Sequence, residues 1–282
     1  MAKLTLIPIQ TDVILKRRTV RNYELKDLSL DDKHKLDEIV QNAELMKGPF
    51  GHSFKFFILA LKDGEPDVAR PIGTYGTIKN APYFIGGSSP KDHHAIVDYG
   101  FIFEHMVLSL TAQGLGTAWL GALFQREKLR DYCQVDETIP AIATLGYSAE
   151  HMHLRERFTR FGIGSDHRKE FGTLFFNASF ETPLSQDHPY AELLRLVQVA
   201  PSGTNQQPWR IRVDDQHLHL YMCPTPNYSK KLDFESQYLD MGIALAHLSL
   251  GLTERAIPFD YVNLDYPSTN SLIYVVSLRL NP

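Results

Sequence analysis

"DYGFIFEHMVLSLT" (98–111) and "DMGIALAHLSLGLT" (240–253) decide how this chain is organised. Each reads as a long, mostly apolar helix with room for few charges, as a helix buried in a core would be. They also share a frame. Asp98, Gly100, His105, Leu108, Leu110 and Thr111 recur as Asp240, Gly242, His247, Leu250, Leu252 and Thr253, every pair 142 positions apart. An Asp-x-Gly-x4-His frame in register is harder to obtain by chance than a repeated Leu. The helices that precede them superpose as well, Ala43 on Ala200. The chain therefore reads as two related α+β halves whose long helices pack on each other as two subunits would. Equivalent His105 and His247 suit packing or helix capping better than chemistry.

Working outward, "LSLDDKHKLDEIVQNAEL" (28–45) is a helix capped by Ser29, with Asp31 and Asp32 in its first turn. "HSFKFFILAL" (52–61), "NAPYFIGG" (80–87) and "IPAIATLGYS" (139–148) read as strands, and "GLGTAWLG" (114–121) as a helix stop followed by a strand. Residues 149–170 are charged and glycine-punctuated, a connection. Beyond it, "HPYAELLRLVQVA" (188–200) is helical, "WRIRV" (209–213) and "HLHLYM" (217–222) alternate as strands, and "SLIYVVSLRL" (271–280) closes the chain as another. The expected division is a first half over 1–150, a connecting segment over 151–175 and a shortened second half over 176–282. The shortening falls opposite "GEPDVARPIGTYGTIKN" (64–80).

Composition narrows the function. The 282 residues carry 29 Lys and Arg against 33 Asp and Glu, a net charge of −4, which argues against a general nucleic-acid binder. Two cysteines, Cys133 and Cys223, make neither a disulfide framework nor a metal quartet and suit a reducing cytoplasm. The first twelve residues have no apolar core or cleavage site of a signal peptide, and the apolar run "FFILAL" (56–61) is far short of a membrane span. His217 and His219 share a strand face, but the sequence sets no carboxylate or cysteine at ligand spacing beside them, so no metal is expected.

Two polar motifs remain. "KRRTVRNY" (16–23) offers cations and a hydroxyl to an anion; "APSGTNQQPW" (200–209) offers backbone and amide groups. With "GLGTAWLG", these stretches resemble the FMN-dependent nitroreductase family, whose members carry a basic Arg-Arg-Ser/Thr-x-Arg motif and then Ala-Pro-Ser-x-x-Asn-x-Gln-Pro-Trp. Here the order departs from the family. The place after the basic motif is taken by "AELMKGPFGHSF" (43–54), and the amide motif appears only in the second half. The family is typically a homodimer with a flavin at each subunit interface. The resemblance thus implies a nitroreductase-like α/β sandwich fused as an intramolecular pseudo-dimer, the single-chain arrangement of one nitroreductase subfamily. It implies one flavin per chain, since the second site would need a basic motif near Leu174–Ala178, which reads "LFFNA".

The same resemblance assigns roles. Arg17, Arg18 and Thr19 would hold the FMN phosphate, and charge-assisted bonds of that kind contribute about 1.5–3 kcal/mol each. Arg21 would lie at the pyrimidine edge of the ring, where a cation raises the reduction potential. Pro201, Ser202, Gly203 and Asn205 would contact the ribityl chain or ring edge, with Gln207 a weaker candidate, while Pro208 and Trp209 fix the turn and enter the core. The backbone at Leu120, Gly121 and Ala122 would approach flavin N5. "DHRKEFGTLFF" (166–176) resembles the basic segment that closes over the phosphate, giving Arg168 and Lys169, with "RERFTR" (155–160) in competition.

The implied activity is an FMN-dependent oxidoreductase that takes electrons from NAD(P)H and reduces nitroaromatics, quinones or related small acceptors. The cofactor carries the chemistry, so no catalytic side chain is named. Two other classes stay open: an FMN store or sensor without fast turnover, and another flavin reaction such as flavin fragmentation or reductive dehalogenation. A small-molecule substrate is expected, with no nucleic acid and no membrane. One chain suffices for one flavin site, and further self-association is left open.

Overall fold

The computed structural model describes residues 9–61, 76–122, 124–149, 167–264, 266–268 and 271–281. Most of the 64–80 stretch and of the connection lies outside them.

The first half runs α1 (Thr11–Lys16), α2 (Leu30–Leu45), β1 (Phe56–Ala60), β2 (Tyr83–Gly87), α3 (His93–Ala112), β3 (Gly116–Leu120), a 3-10 turn (Arg126–Tyr132) and β4 (Ile142–Gly146). The second runs α4 (Phe171–Leu174), β5 (Phe175–Asn177), α5 (Ala191–Gln198), a 3-10 turn (Gly203–Asn205), β6 (Trp209–Val213), β7 (His217–Met222), α6 (Gln237–Glu254), β8 (Phe259–Val262) and β9 (Ile273–Leu280). The first sheet has the order β1-β2-β4-β3, antiparallel throughout; the second has β5-β6-β7-β9-β8. Without β5, the second sheet repeats the first strand for strand. β5 is the exception, pairing with β6 in parallel, and it straddles the expected boundary at 175.

Capping sets the helix ends. Ser29 Oγ accepts from Asp32 N at 3.1 Å, as expected. α3 starts at His93, five residues before the repeated frame, because Asp92 caps it by accepting from Ala95 N at 3.0 Å. It stops where Gly114 turns to φ +80°. Length and composition would let α3 cross a membrane, but it is buried inside the fold.

The long helices meet at the paired glycines. A Cβ on Gly242 would lie 2.1 Å from Val97 O, and one on Gly100 would lie 2.4 Å from Leu239 O. Val97 and Leu239 are themselves 142 positions apart. Each half thus presents to the other the patch it receives, the arrangement of a twofold contact. Lys91 and Asp233 are also equivalent positions, and they form an ion pair at 2.8 Å. Two identical subunits would set like residues together there; a single chain sets opposite charges.

Similar asymmetry is buried nearby. His247 Nε2 meets Glu104 Oε1 at 3.0 Å with both side chains fully buried, while Trp119 Nε1 donates to Glu104 Oε2 at 2.8 Å. His247 Nδ1 faces Leu196 O, and His105 Nδ1 faces Phe101 O, each at 2.8 Å. Both histidines therefore serve packing. One continuous core joins Ile85, Ala143 and Leu145 of the first sheet, through α3 and α6, to Trp209, Ile211, Leu220 and Val276 of the second. A smaller cluster including Tyr23, Phe84, Leu120 and Phe124 covers the other face of the first sheet.

Candidate functional site

The amide motif forms a tight loop after α5. Thr204, Asn205 and Gln207 take left-handed φ values of 44°, 57° and 47°, which non-glycine residues rarely adopt without support. The support is visible. Ser202 Oγ accepts from Gln207 N at 2.9 Å, and Asp240 Oδ1 accepts from Gly203 N at 3.0 Å. Buried Gln207 accepts from Lys169 N at 2.9 Å through Oε1. Asn205 Oδ1 accepts from Arg168 Nη1 at 3.1 Å, and its Nδ2 donates to His167 O at 2.7 Å. The expected closing segment, Arg168 and Lys169, is thus docked on the amide loop. Asn205 spends its side-chain amide on that docking, as Ser202 spends its hydroxyl on the turn.

The same aspartate works in both halves. Asp98 accepts from Phe50 N and His52 N at 2.9 Å and meets His52 Nδ1 at 2.8 Å. It anchors the loop that stands in the first half where the amide loop stands in the second. Among the described residues Asp240 has the Gly203 N–H alone, and its buried Oδ2 has no partner. Burial, above all, pushes the Asp240 carboxyl up to about 7; burial likewise raises Asp98.

Lys169 Nζ donates to Gln206 O at 2.6 Å, and Arg210 Nη1 donates to the carbonyls of Gln207 and Trp209. Among the described residues neither has a carboxylate partner. Burial lowers both pKa values, and for Lys169 the neighbouring Arg210 adds to the effect. Two desolvated like charges beside one loop form a donor set that fits a phosphate.

The basic motif follows α1, which packs on α3, α5 and α6 and so touches both halves. Arg17 is buried at the helix end. Arg18 is exposed and folds back, its Nη1 donating to Leu15 O at 2.6 Å and to Arg17 O at 2.8 Å. Thr19 runs beside Thr117 of β3, and Arg21 O accepts from Lys79 N at 2.8 Å. Pro201 and Ser202 are half-buried, and Gly203 is exposed. β3 ends at buried Leu120; a Cβ on Gly121 would meet nothing within 4 Å, and Ala122 is exposed. The peptide expected at flavin N5 therefore faces open space.

What ties this peptide to the second half escapes the sequence. Arg126 Nη2 donates to Gly121 O and to Pro140 O, and Nε donates to Ile139 O at 3.0 Å. Its guanidinium stands 4.4 Å from the ring centroid of Phe124 and 5.6 Å from that of Phe234 in the second half. From the same segment, Tyr228 OH accepts from Thr204 Oγ1 at 3.4 Å. Arg126 thus joins the end of β3 to Phe234, and the 223–236 segment that carries Phe234 meets the amide loop through Tyr228. This junction borders a cavity of about 340 Å³ lined by Phe124, Arg126, Cys133, Ile139, Lys231 and Leu232. No local sequence signal marks Arg126, because its acceptors are backbone carbonyls five to fourteen residues away.

One expectation is corrected. A carboxylate does lie beside His217 and His219: Asp214, brought back by the β6–β7 turn, where its Oδ1 accepts from Gln216 N at 3.0 Å and His217 N at 2.7 Å.

The family model described as "Putative TM nitroreductase" matches residues 10–252. Among solved structures, a protein from Thermotoga maritima described as a putative nitroreductase is similar along the whole chain. Its TM-score is 0.62 at 20% identity, covering 99% of this chain and 97% of that one. An FMN-dependent nitroreductase from Clostridium difficile R20291 has a TM-score of 0.40 at 22% identity and covers 52% of this chain and 89% of its own. A nitroreductase with bound FMN from Bacteroides fragilis has a TM-score of 0.39 at 21% identity, with 53% and 92% covered. No curated protein matches the chain.

Proposed function

Because this chain belongs to the family described as TM nitroreductases, we propose that it is an FMN-dependent oxidoreductase assembled as a fused pseudo-dimer, with one flavin held between its halves. The observation that carries the reading is the junction at Gly121. An open backbone peptide of the first half is braced by Arg126, whose guanidinium stands beside Phe234, on the same second-half segment whose Tyr228 meets the amide loop. In this reading Arg17, Arg18, Arg168 and Lys169 hold the phosphate, with Thr19 as a hydroxyl donor. Arg21 sits at the pyrimidine edge, and Pro201, Ser202, Gly203 and Asn205 bound the ribityl chain or ring. Leu120, Gly121 and Ala122 present backbone to the reactive edge.

FMN, when bound, would supply two-electron redox chemistry between a nicotinamide donor and a nitroaromatic, quinone or related acceptor. The protein's part is orientation and charge. Arg126 fixes the Gly121 peptide, Asp240 fixes the Gly203 N–H, and the cations near Gln206 offset the phosphate. The test is anaerobic mixing of FMN-loaded protein with NADH and with NADPH while following flavin absorbance. Fast bleaching with either donor supports the enzyme. Retention of FMN without bleaching would turn the reading to an FMN store or sensor.

A further inference from the structure

We propose that Asp214, His217 and His219 form a binding site for a divalent transition-metal ion, of the zinc class, at the β6–β7 turn. Each of the three offers one ligand atom, and these atoms lie within 4.8 Å of one another. Asp214 Oδ2 meets His219 Nε2 at 2.7 Å, and Asp214 Oδ1 meets His217 Nδ1 at 3.3 Å. The two imidazoles stack with centroids 5.3 Å apart. Two imidazoles and one carboxylate are a borderline donor set that suits Zn²⁺ better than Ca²⁺ or Mg²⁺.

The surroundings are built to orient the buried ligand. His219 Nδ1 meets Ser277 Oγ at 2.7 Å, and Ser277 Oγ meets Tyr274 OH at 2.7 Å. Tyr274 OH also stands 3.3 Å from Val262 O. This chain of hydroxyls has two consistent directions. In one, Tyr274 donates to Ser277, Ser277 donates to His219 Nδ1, and Nε2–H donates to Asp214. In the other, Nδ1–H donates to Ser277, Ser277 donates to Tyr274, and Tyr274 donates to Val262 O. The second leaves the Nε2 lone pair and the Asp214 carboxylate facing a common point, which a second imidazole proton fills in the metal-free chain and a bound metal ion would take over. A metal-ligating histidine held by its other ring nitrogen is the usual outer-shell arrangement. Tyr266 packs edge-on against His219 at 4.9 Å and shields that side. Asp214 and His217 keep side-chain exposures of 34% and 18%, so the site is open to an arriving ion and to a water as fourth ligand. Arg212 is the nearby opposing charge; its guanidinium is drawn to the Tyr266 ring at 4.9 Å and to Ala178 O.

The test uses the full chain, with Zn²⁺ titrated calorimetrically and Co²⁺ as a spectroscopic probe. One Zn²⁺ per chain is expected, with a Co²⁺ visible spectrum of imidazole and carboxylate ligation. Asp214→Asn and His217→Ala, both at partly exposed positions, should abolish that binding event, and Ser277→Ala should weaken it about 10–100-fold. FMN titration of each variant reports that the fold is intact. The proposal is overturned if the parent chain binds no Zn²⁺. It is equally overturned if Asp214→Asn and His217→Ala, shown to be folded, bind Zn²⁺ as the parent does, since the ion would then sit on other histidines.

Discussion

Asp240→Asn should change the sign of the stability difference between variant and parent as pH rises. In the folded chain the Asp240 carboxyl titrates at about 7, against an ordinary value of 3.8. Below pH 3.8 both folded and unfolded chains hold the proton, and the residue adds no pH dependence. Between about 4 and 7 the unfolded chain has released a proton that the folded chain keeps, so stability falls as pH rises. The full rise, at ~1.4 kcal/mol per pH unit, amounts to about 4 kcal/mol lost by the parent above pH 7. Asparagine keeps an acceptor for Gly203 N but never ionises. Its amide N–H₂ replaces Oδ2, which has no partner among the described residues, at a cost of about 1–3 kcal/mol that does not depend on pH. The variant should therefore be the less stable protein at pH 4, where the parent has lost only about 0.6 kcal/mol, and the more stable one at pH 8. Urea unfolding of both proteins from pH 4 to 9 reads the difference directly, and Asp98, which titrates in both, cancels. Parallel stability curves would refute the burial argument for Asp240.

Gly242→Ala would set a Cβ 2.1 Å from Val97 O and should lower Tm sharply, whereas Gly121→Ala, into open space, should leave Tm unchanged; calorimetry compares them. Arg126→Gln strips donors from the Gly121, Ile139 and Pro140 carbonyls, each worth about 1 kcal/mol or more. Both Tm and FMN affinity should fall, and unchanged FMN affinity would show that Arg126 does not brace the flavin site. Arg17→Ala should weaken FMN more than riboflavin, by about 1.5–3 kcal/mol, and equal losses in fluorescence titrations would remove Arg17 from the phosphate.

Much of the fold was legible because the long helices must satisfy their neighbours twice. The repeated aspartate marks the anchor of a loop in each half, and the repeated glycine marks the crossing where no Cβ fits. Both needs act on single residue types, so both survive in the sequence as a frame. The alternating and apolar strands were legible for the same local reason.

The rest depends on distant partners. α1, the six residues that lead into the basic motif, carries no capping signal of its own; Thr11, at its first residue, is held by Glu254, 243 positions away. β8, with one exposed and three half-buried residues, has too weak an apolar pattern to be recognised without β9 beside it. Asp214, three positions before His217, is set against both His217 and His219 only by the turn that folds it back. In the candidate site, the basic and amide motifs were legible as donor sets. Their division of labour was not: Asn205 and Gln207 hold the 167–169 segment, and Arg126 carries the junction without any motif.

The central claim is that one polypeptide completes one flavin site from both of its halves. Native mass spectrometry of the full chain titrated with FMN tests it most directly. The account predicts a species of one chain carrying one FMN, saturating there with excess flavin. Two FMN per chain, or FMN retained only by a dimer of chains, would contradict it.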